Sequence, residues 1–286
     1  MPSQDYATLL VSCVDRTGIV AEIAGFMHAH GCNITRVDQS VDAEHGAFRM
    51  RMVIEPNESR VDHDAFEAQL EQLSKEHRFA WKLHWSDERL RMAILCTREP
   101  HCLHDLLQRH ESGEIDCDIP VIISNHETLR PIAEFFEIPY VHLPVDSDRK
   151  TECEDQLRHL LAEHDVDVVV LARYMQILSN ELVSEWPNQI INIHHSFLPA
   201  FVGAAPYRQA HERGVKLIGA TAHYVTADLD EGPIISQDVI QCSHRDSVQD
   251  LVRKGRDVER TTLSRAVRWH LERRLLLEDD RVVVFV

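Results

Sequence analysis

The sequence contains no C-x-x-C pair: its seven cysteines, at 13, 32, 96, 102, 117, 153 and 242, are scattered and odd in number. That spacing supports neither a disulfide framework nor a structural zinc site, and free or buried thiols in a reducing compartment are the expectation. No apolar run reaches the length of a membrane span, and Met1-Pro2-Ser3-Gln4-Asp5 lacks the basic flank and apolar core of a signal peptide, so a cytoplasmic protein is expected. Positive charge is scarce. With 30 basic against 47 acidic residues the net charge is −17, which argues against a general attraction to nucleic acid or an anionic membrane. No internal repeat or low-complexity segment is present.

At 286 residues the chain exceeds one average domain, and its 44% hydrophobic content suffices for ordinary globular cores. The first segment reads as strand, helix, strand, strand, helix, strand. Ala7 to Val14 is a strand, Asp15-Arg16-Thr17-Gly18 turns the chain, and Ile19, Ile23, Phe26 and Met27 recur at helical spacing up to a stop at Gly31. Asn33 to Val41 and Ala47 to Ile54 form a hairpin whose Phe48, Met50, Met52 and Ile54 mark one buried face. A helix from Asp62 to Glu76 and a closing strand from Phe79 to Trp85 complete a βαββαβ, ferredoxin-like order. Asp15-Arg16-Thr17-Gly18-Ile19-Val20 and Gly31-Cys32-Asn33-Ile34 resemble the corresponding turns of ACT domains. That resemblance implies side-by-side pairing into a homo-oligomer, a dimer or tetramer, and an amino-acid effector at the interface. The segment is read either as a regulatory sensor or as an oligomerisation module, because the turn residues serve backbone geometry in both.

Ser86-Asp87-Glu88-Arg89 reads as a linker, which divides the chain into 1–86 and 87–286. Beyond it, apolar strands at Arg91–Cys96, Ile119–Ser124, Val141–Leu143, Val166–Leu171 and Ile190–Ile193 alternate with helices at His104–His110, Leu129–Phe136 and Glu152–His164. The alternation predicts an α/β, Rossmann-like, mostly parallel sheet with crossover helices. A C-terminal helix from Ser247 to Leu277 is expected to be amphipathic and solvated, with Glu259, Glu272 and Glu278 among its arginines.

Parallel sheets bind ligands beyond the carboxyl ends of their strands, where Asn192 and His194 fall within Asn192-Ile193-His194-His195-Ser196-Phe197-Leu198-Pro199. Moving or hydrolysing a small acyl group needs hydrogen bonds aimed at a tetrahedral oxyanion, which Asn192 and His194 offer. It also needs a carboxylate and an imidazole to move protons, for which Asp230 and His194 are the candidates. His223, seven positions before Asp230, is placed to orient it. Asp228, Asp230 and Glu231 are close in sequence, and such crowding can raise a carboxylate's pKa. His194, His195 and His223 show neither an H-E-x-x-H spacing nor an accompanying cysteine set, so no metal is expected.

Asn192-Ile193-His194-x-Ser196-x-Leu198-Pro199, with His223-x-Val225 and Asp230-x-Gly232-Pro233-Ile234-Ile235, resembles the signature of the folate-dependent formyltransferase fold. The resemblance implies Asn192, His194 and Asp230 as the catalytic set, with His223 supporting the aspartate. It implies that Leu171–Leu178 lines a pterin pocket, so that Tyr174, Met175, Ile177 and Leu178 bind substrate together with Thr226 and Asp228. From its pattern alone, the same segment reads as a strand end running into a helix.

The ACT-like segment, His195, Pro199-Ala200-Phe201-x-Gly203-Ala204-x-Pro206-Tyr207 and Gly255-Arg256-Asp257-Val258-Glu259 extend the likeness over essentially the whole chain, which is similar to the formyltetrahydrofolate deformylases. Implied are hydrolysis of 10-formyltetrahydrofolate to formate and tetrahydrofolate, feeding one-carbon and purine metabolism, with folate as substrate and no cofactor, nucleic-acid or membrane partner. His195 is assigned to the water or acceptor side. Thr97–Leu103 lacks the glycines of a phosphate loop, which disfavours a nucleotide acceptor. Gln176 and Ala205 stand where basic residues are expected in many such relatives, so contacts to an anionic substrate tail are expected to differ. Transfer of the formyl group to an amine, and an amino-acid sensor without catalysis, are the alternatives.

Overall fold

The computed structural model describes residues 6–56, 62–199, 206–278 and 280–286. The chain divides into two compact units, one reaching Arg89 and taking in Phe285 and Val286, the other Leu90–Val284. In the first unit, alternating apolar side chains build a four-stranded antiparallel sheet from β1 (Ala7–Val14), β2 (Cys32–Asp42), β3 (Ala47–Pro56) and β4 (Ala80–Trp85), in the order β2-β3-β1-β4. Two helices, α1 (Ile19–Ala29) and α2 (His63–His77), supply the other side of its core. Leu9, Val11, Met50, Met52 and Ile54 pack with Ile23 and Met27 of α1 and with Phe66 and Leu70 of α2 in a single fully buried cluster. Each such side chain contributes about 1.5–3 kcal/mol by leaving water. Gly31, at φ 67°, ends α1 in the left-handed conformation expected of a helix stop, and Asp62 caps α2 by accepting from the Ala65 amide. The element order is the expected βαββαβ.

The second unit contains β5 (Met92–Cys96), α3 (His101–Glu111), β6 (Ile122–Ser124), α4 (Arg130–Phe135), β7 (Tyr140–His142), α5 (Lys150–Glu163), β8 (Val168–Ala172), α6 (Asn180–Glu185) and β9 (Ile190–His194). It continues with α7 (Pro206–Arg213), β10 (Leu217–Tyr224), β11 (Ile234–Gln241), α8 (Val248–Leu271) and the hairpin β12 (Leu275–Glu278) and β13 (Arg281–Val284). Seven strands form one sheet in the order β11-β10-β9-β8-β5-β6-β7. β5 to β9 are parallel, while β10 runs antiparallel to β9 and β11 antiparallel to β10. β5 and β8 are buried on both faces, which is why they read as unbroken apolar runs. Met92, Ile94 and Cys96 join the core shared with α3 and α8, and Ala93 and Leu95 join the core of α5 and α6. From β5 the chain winds outward through β6 and β7 and then returns to β8 on the other side of β5. The carboxyl ends of β5 and β8 therefore flank a topological switch point.

Three expectations are corrected. The long C-terminal helix stops at Leu271; Glu272 caps it, Arg273 takes φ 53° and Leu275 enters β12. Leu271, Leu275 and Leu277 pack on the same core, and over so few residues helical spacing and strand alternation select the same side chains. The residues after β8 form no helix until Asn180. Glu259, expected on the solvated face of α8, is 1% exposed. Among the described residues no helix is long and apolar enough to cross a membrane, and no two cysteines are joined by a disulfide. Ala200, Phe201, Gly203, Ala204 and Ala205 lie outside the described residues.

Candidate active site

Asn192 and His194 are two residues apart on β9, so the strand period places both side chains on one face. The antiparallel register sets His223 of β10 beside Asn192 and Thr221 beside His194. A bulge between Ala222 and His223 breaks the pairing with β11 at this point, the kind of irregularity that re-aims a side chain. The loop from Val225 to Pro233 then folds back. Thr226 Oγ1 donates to the Asp228 carbonyl, and the Glu231 amide donates to the same carbonyl. Asp230 takes the left-handed conformation at φ 59°. At Gly232 a Cβ would lie 1.8 Å from the Tyr224 carbonyl oxygen, so only glycine lets the loop close onto β10.

This local geometry brings Asp230 Oδ2 to 3.1 Å from His194 Nδ1 and Asp230 Oδ1 to 3.6 Å from His223 Nε2. His223 Nδ1 lies 2.9 Å from the Tyr224 carbonyl, which can only accept, so that nitrogen carries a proton. His223 Nε2 is left facing the Asn192 amide nitrogen at 3.3 Å and Asp230. It accepts from the amide when the ring is neutral and donates to Asp230 when the ring is protonated. His194 is 7% exposed, and its Nε2 is buried with no hydrogen-bond partner in the unliganded chain. A buried, unpartnered imidazole nitrogen at the end of a strand is poised for a ligand.

The hydrogen bond from His194, and then that from His223, holds the Asp230 carboxyl well below the usual carboxylate range against the opposing effect of burial. The shift runs opposite to the one that acidic crowding can produce: two imidazoles, those of His194 and His223, face its oxygens. Burial and then the Arg173 guanidinium push the His195 imidazole down to about 4, so His195 is neutral near pH 7.

A second set of residues fixes the turn after β9, and the sequence did not single it out. The fully buried Thr221 hydroxyl donates to the Ser196 carbonyl at 2.9 Å and accepts from the Leu198 amide and from Gln237 Nε2, each at 3.0 Å. Gln237 Nε2 also donates to the Leu198 carbonyl. The register that pairs Thr221 with His194 was the available signal, and it exists only once the strands pair.

Beyond the ends of β7 and β8 opens a cavity of about 520 Å³ lined by Leu143, Val145, Lys150, Leu157 and the segment Tyr174–Leu178. Tyr174, Met175, Ile177 and Leu178 therefore line one pocket, whereas Thr226 and Asp228 belong to the Asp230 loop and are absent from that wall. Thr97 at the end of β5 anchors the pocket segment by accepting from the Met175 amide at 3.0 Å. Met175 and Ile177 are 55% and 61% exposed, an apolar platform typical of a small-molecule site.

His101, Cys102 and Glu259 bring ligand-type atoms within 4.8 Å of one another. His101 Nε2 already bonds Glu259, Arg173 places a cation beside the same carboxylate, and burial pushes the Cys102 thiol well up. A metal ion would have to displace each of these.

Residues 90–267 match the formyl transferase family model, which places the parallel-sheet unit in the formyl transferase class, and residues 7–73 match that of the ACT domain. The chain is 51% identical to a formyltetrahydrofolate deformylase of a Synechocystis species over 98% of each chain, and 45% identical to one of Bacillus subtilis over 99% of this chain and 95% of that one. The crystal structure of a formyltetrahydrofolate deformylase from Pseudomonas syringae superposes with a TM-score of 0.95 at 47% identity, covering 100% of this chain and 96% of the other. The chain belongs to the formyltetrahydrofolate deformylase family.

Proposed function

We propose that the chain hydrolyses 10-formyltetrahydrofolate to formate and tetrahydrofolate. The observation that carries the reading is His194, whose Nδ1 donates to Asp230 while its buried Nε2 has no partner. That arrangement is an oriented proton carrier. With the folate held along Tyr174–Leu178, water attacks the formyl carbon and passes a proton to His194 Nε2. Asp230 stabilises the imidazolium that forms and orients the water. Its depressed pKa favours this role over taking the proton itself. The Asn192 amide, with one N–H beside His223, has a second for the oxyanion. His194 then returns its proton to N10 as the carbon–nitrogen bond breaks. Formate, the second proton of the water and tetrahydrofolate complete the balance.

Formyl transfer to a phosphorylated amine fits less well. The turn after β5 carries Glu99, paired with Arg256 at 2.6 Å, where a phosphate cradle would stand, and a carboxylate there repels a phosphate. Release of formate from 10-formyltetrahydrofolate with no acceptor added tests the reading, and turnover that requires an amine overturns it.

Residues 87–286 are assigned the chemistry and 1–86 the regulation, with an amino-acid effector and a homo-oligomer supported by the ACT match and by β2 and β4 standing at the sheet edges. Seven cysteines with no disulfide among them support a cytoplasmic location. Light scattering, and turnover with and without amino acids, test the assembly and the effector.

A further inference from the structure

Glu259 sits on α8 one turn beyond Gly255, and at 1% exposure its carboxylate has left water. Burying such a charge costs several kcal/mol unless it is paired and hydrogen-bonded. Two hydrogen bonds and an ion pair from distant parts of the chain meet it: His101 Nε2 at 2.8 Å and the Tyr207 hydroxyl bond the carboxylate, and the Arg173 guanidinium pairs with it as a charge, its Nε 3.4 Å away without a hydrogen bond. Burial alone raises its pKa, but His101, Arg173 and Tyr207 outweigh that and keep it ionised. Gly255 makes the approach possible, since a Cβ there would lie 2.0 Å from the Tyr207 hydroxyl.

Two of these partners lead to different walls of the site. The Tyr207 ring lies 6.2 Å from that of His195, which stacks on His194 at 5.2 Å. Arg173, at φ 62°, opens the segment that becomes the pocket wall Tyr174–Leu178. We infer that Glu259 is a positioning residue that ties the histidine wall of the site, through Tyr207 and His195, to the pocket wall, through Arg173. It touches no reacting atom and acts by fixing the distance between the bound folate and His194. A misplacement of about 1 Å between reacting groups is worth about a hundredfold in rate.

The inference rests on the hydrolytic reading, and its two arms are separable. In the full-length chain, Tyr207→Phe keeps the ring and removes the hydroxyl, so kcat should fall about tenfold with KM nearly unchanged. Arg173→Asn tolerates the left-handed backbone and removes the guanidinium, so KM should rise about fivefold with kcat nearly unchanged. Glu259→Gln should do both, at a melting temperature and far-ultraviolet spectrum showing folded protein. A second readout needs no substrate: the imidazole nitrogen resonances of His195 should shift in the Tyr207 and Glu259 variants. Wild-type protein that releases no formate would end the hydrolytic reading and leave these resonances to decide the positioning role. The inference is overturned if folded Glu259→Gln keeps kcat and KM within twofold of wild type, if Tyr207→Phe and Arg173→Asn give the same kcat and KM pattern, or if the His195 resonances ignore Glu259→Gln. Should Glu259→Gln fail to fold, the two outer variants carry the test by the same criteria.

Discussion

Replacing Asp230 with Asn exchanges one oxygen for nitrogen and leaves the loop intact, because Asn tolerates the left-handed conformation that Asp230 adopts at φ 59°. What is lost is a negative charge 3.1 Å from His194 Nδ1 on a side chain only 13% exposed. At an effective dielectric of about 20, a full charge pair at that separation is worth about 5 kcal/mol. Charge on His194 is incomplete in the transition state and the amide can still accept from Nδ1, so about 3–4 kcal/mol is expected to appear in the barrier. That corresponds to a fall in kcat of about 100- to 1000-fold. KM should barely move, since the charge develops after binding. The assay is acceptor-free formate release, coupled to nicotinamide reduction by formate dehydrogenase, on protein shown by circular dichroism to be folded. Turnover within threefold of wild type would refute the role given to Asp230. The same variant reports on stability. The folded-state pKa of Asp230 lies well below the 3.8 of a free aspartate, so its contribution is present at neutral pH and is lost as pH falls through 3.8 and below. The gap in melting temperature between wild type and variant should therefore close in acid.

His195 titrates near 4 in the folded chain and near 6.5 when unfolded, so the unfolded state binds the extra proton between those values and stability declines as pH falls through that window. His195→Asn should flatten this slope, worth roughly 2 kcal/mol, in urea midpoints compared at pH 5 and pH 7; an unchanged slope would place the titration elsewhere. Thr221→Val strands the Leu198 amide, takes the hydroxyl donor from the Ser196 carbonyl and removes one of the two acceptors of Gln237 Nε2, so a loss of about 2 kcal/mol and a melting temperature lower by about 4–8 °C are expected, with reduced turnover because the turn after His194 loosens. An unaltered melting temperature would show the network to be dispensable. Gly232→Ala places a Cβ 1.8 Å from the Tyr224 oxygen, which should destabilise the chain by about 2–3 kcal/mol and lower kcat by about a hundredfold by displacing Asp230; near-normal kcat would mean that the loop accommodates the methyl group without moving the carboxylate.

Much of this architecture was legible because its signals are local. Alternating Phe48, Met50, Met52 and Ile54, and the helical spacing of Ile19, Ile23 and Met27, fix which faces are buried whatever packs on them. The Asn192, His194, His223 and Asp230 set was legible from residue type and motif, and the structure gathers all four within hydrogen-bonding or near-contact distance. Thr221 gave no such signal, because it matters only through strand register. Glu259 did carry a hint: it lies on the stripe of Leu251, Gly255, Val258, Thr262 and Ala266. A lone carboxylate on an apolar stripe is easily read as a solvated charge until its partners are known.

The sequence by itself determined the order of strands and helices in the first unit and of β5 to β9 in the second, the division between two kinds of pattern and the residue types around the acyl chemistry, since each depends on short-range periodicity and turn chemistry. The tertiary structure alone decided how the groups behave. Asp230 is driven to the anion because two imidazoles from neighbouring strands face it, in opposition to what its acidic sequence neighbours imply. His195 is neutral because it is buried near Arg173, and Glu259 is ionised in the core because His101, Tyr207 and Arg173 converge on it. Protonation state and position depend on what lies within a few ångströms, and for these residues those neighbours are distant in the chain.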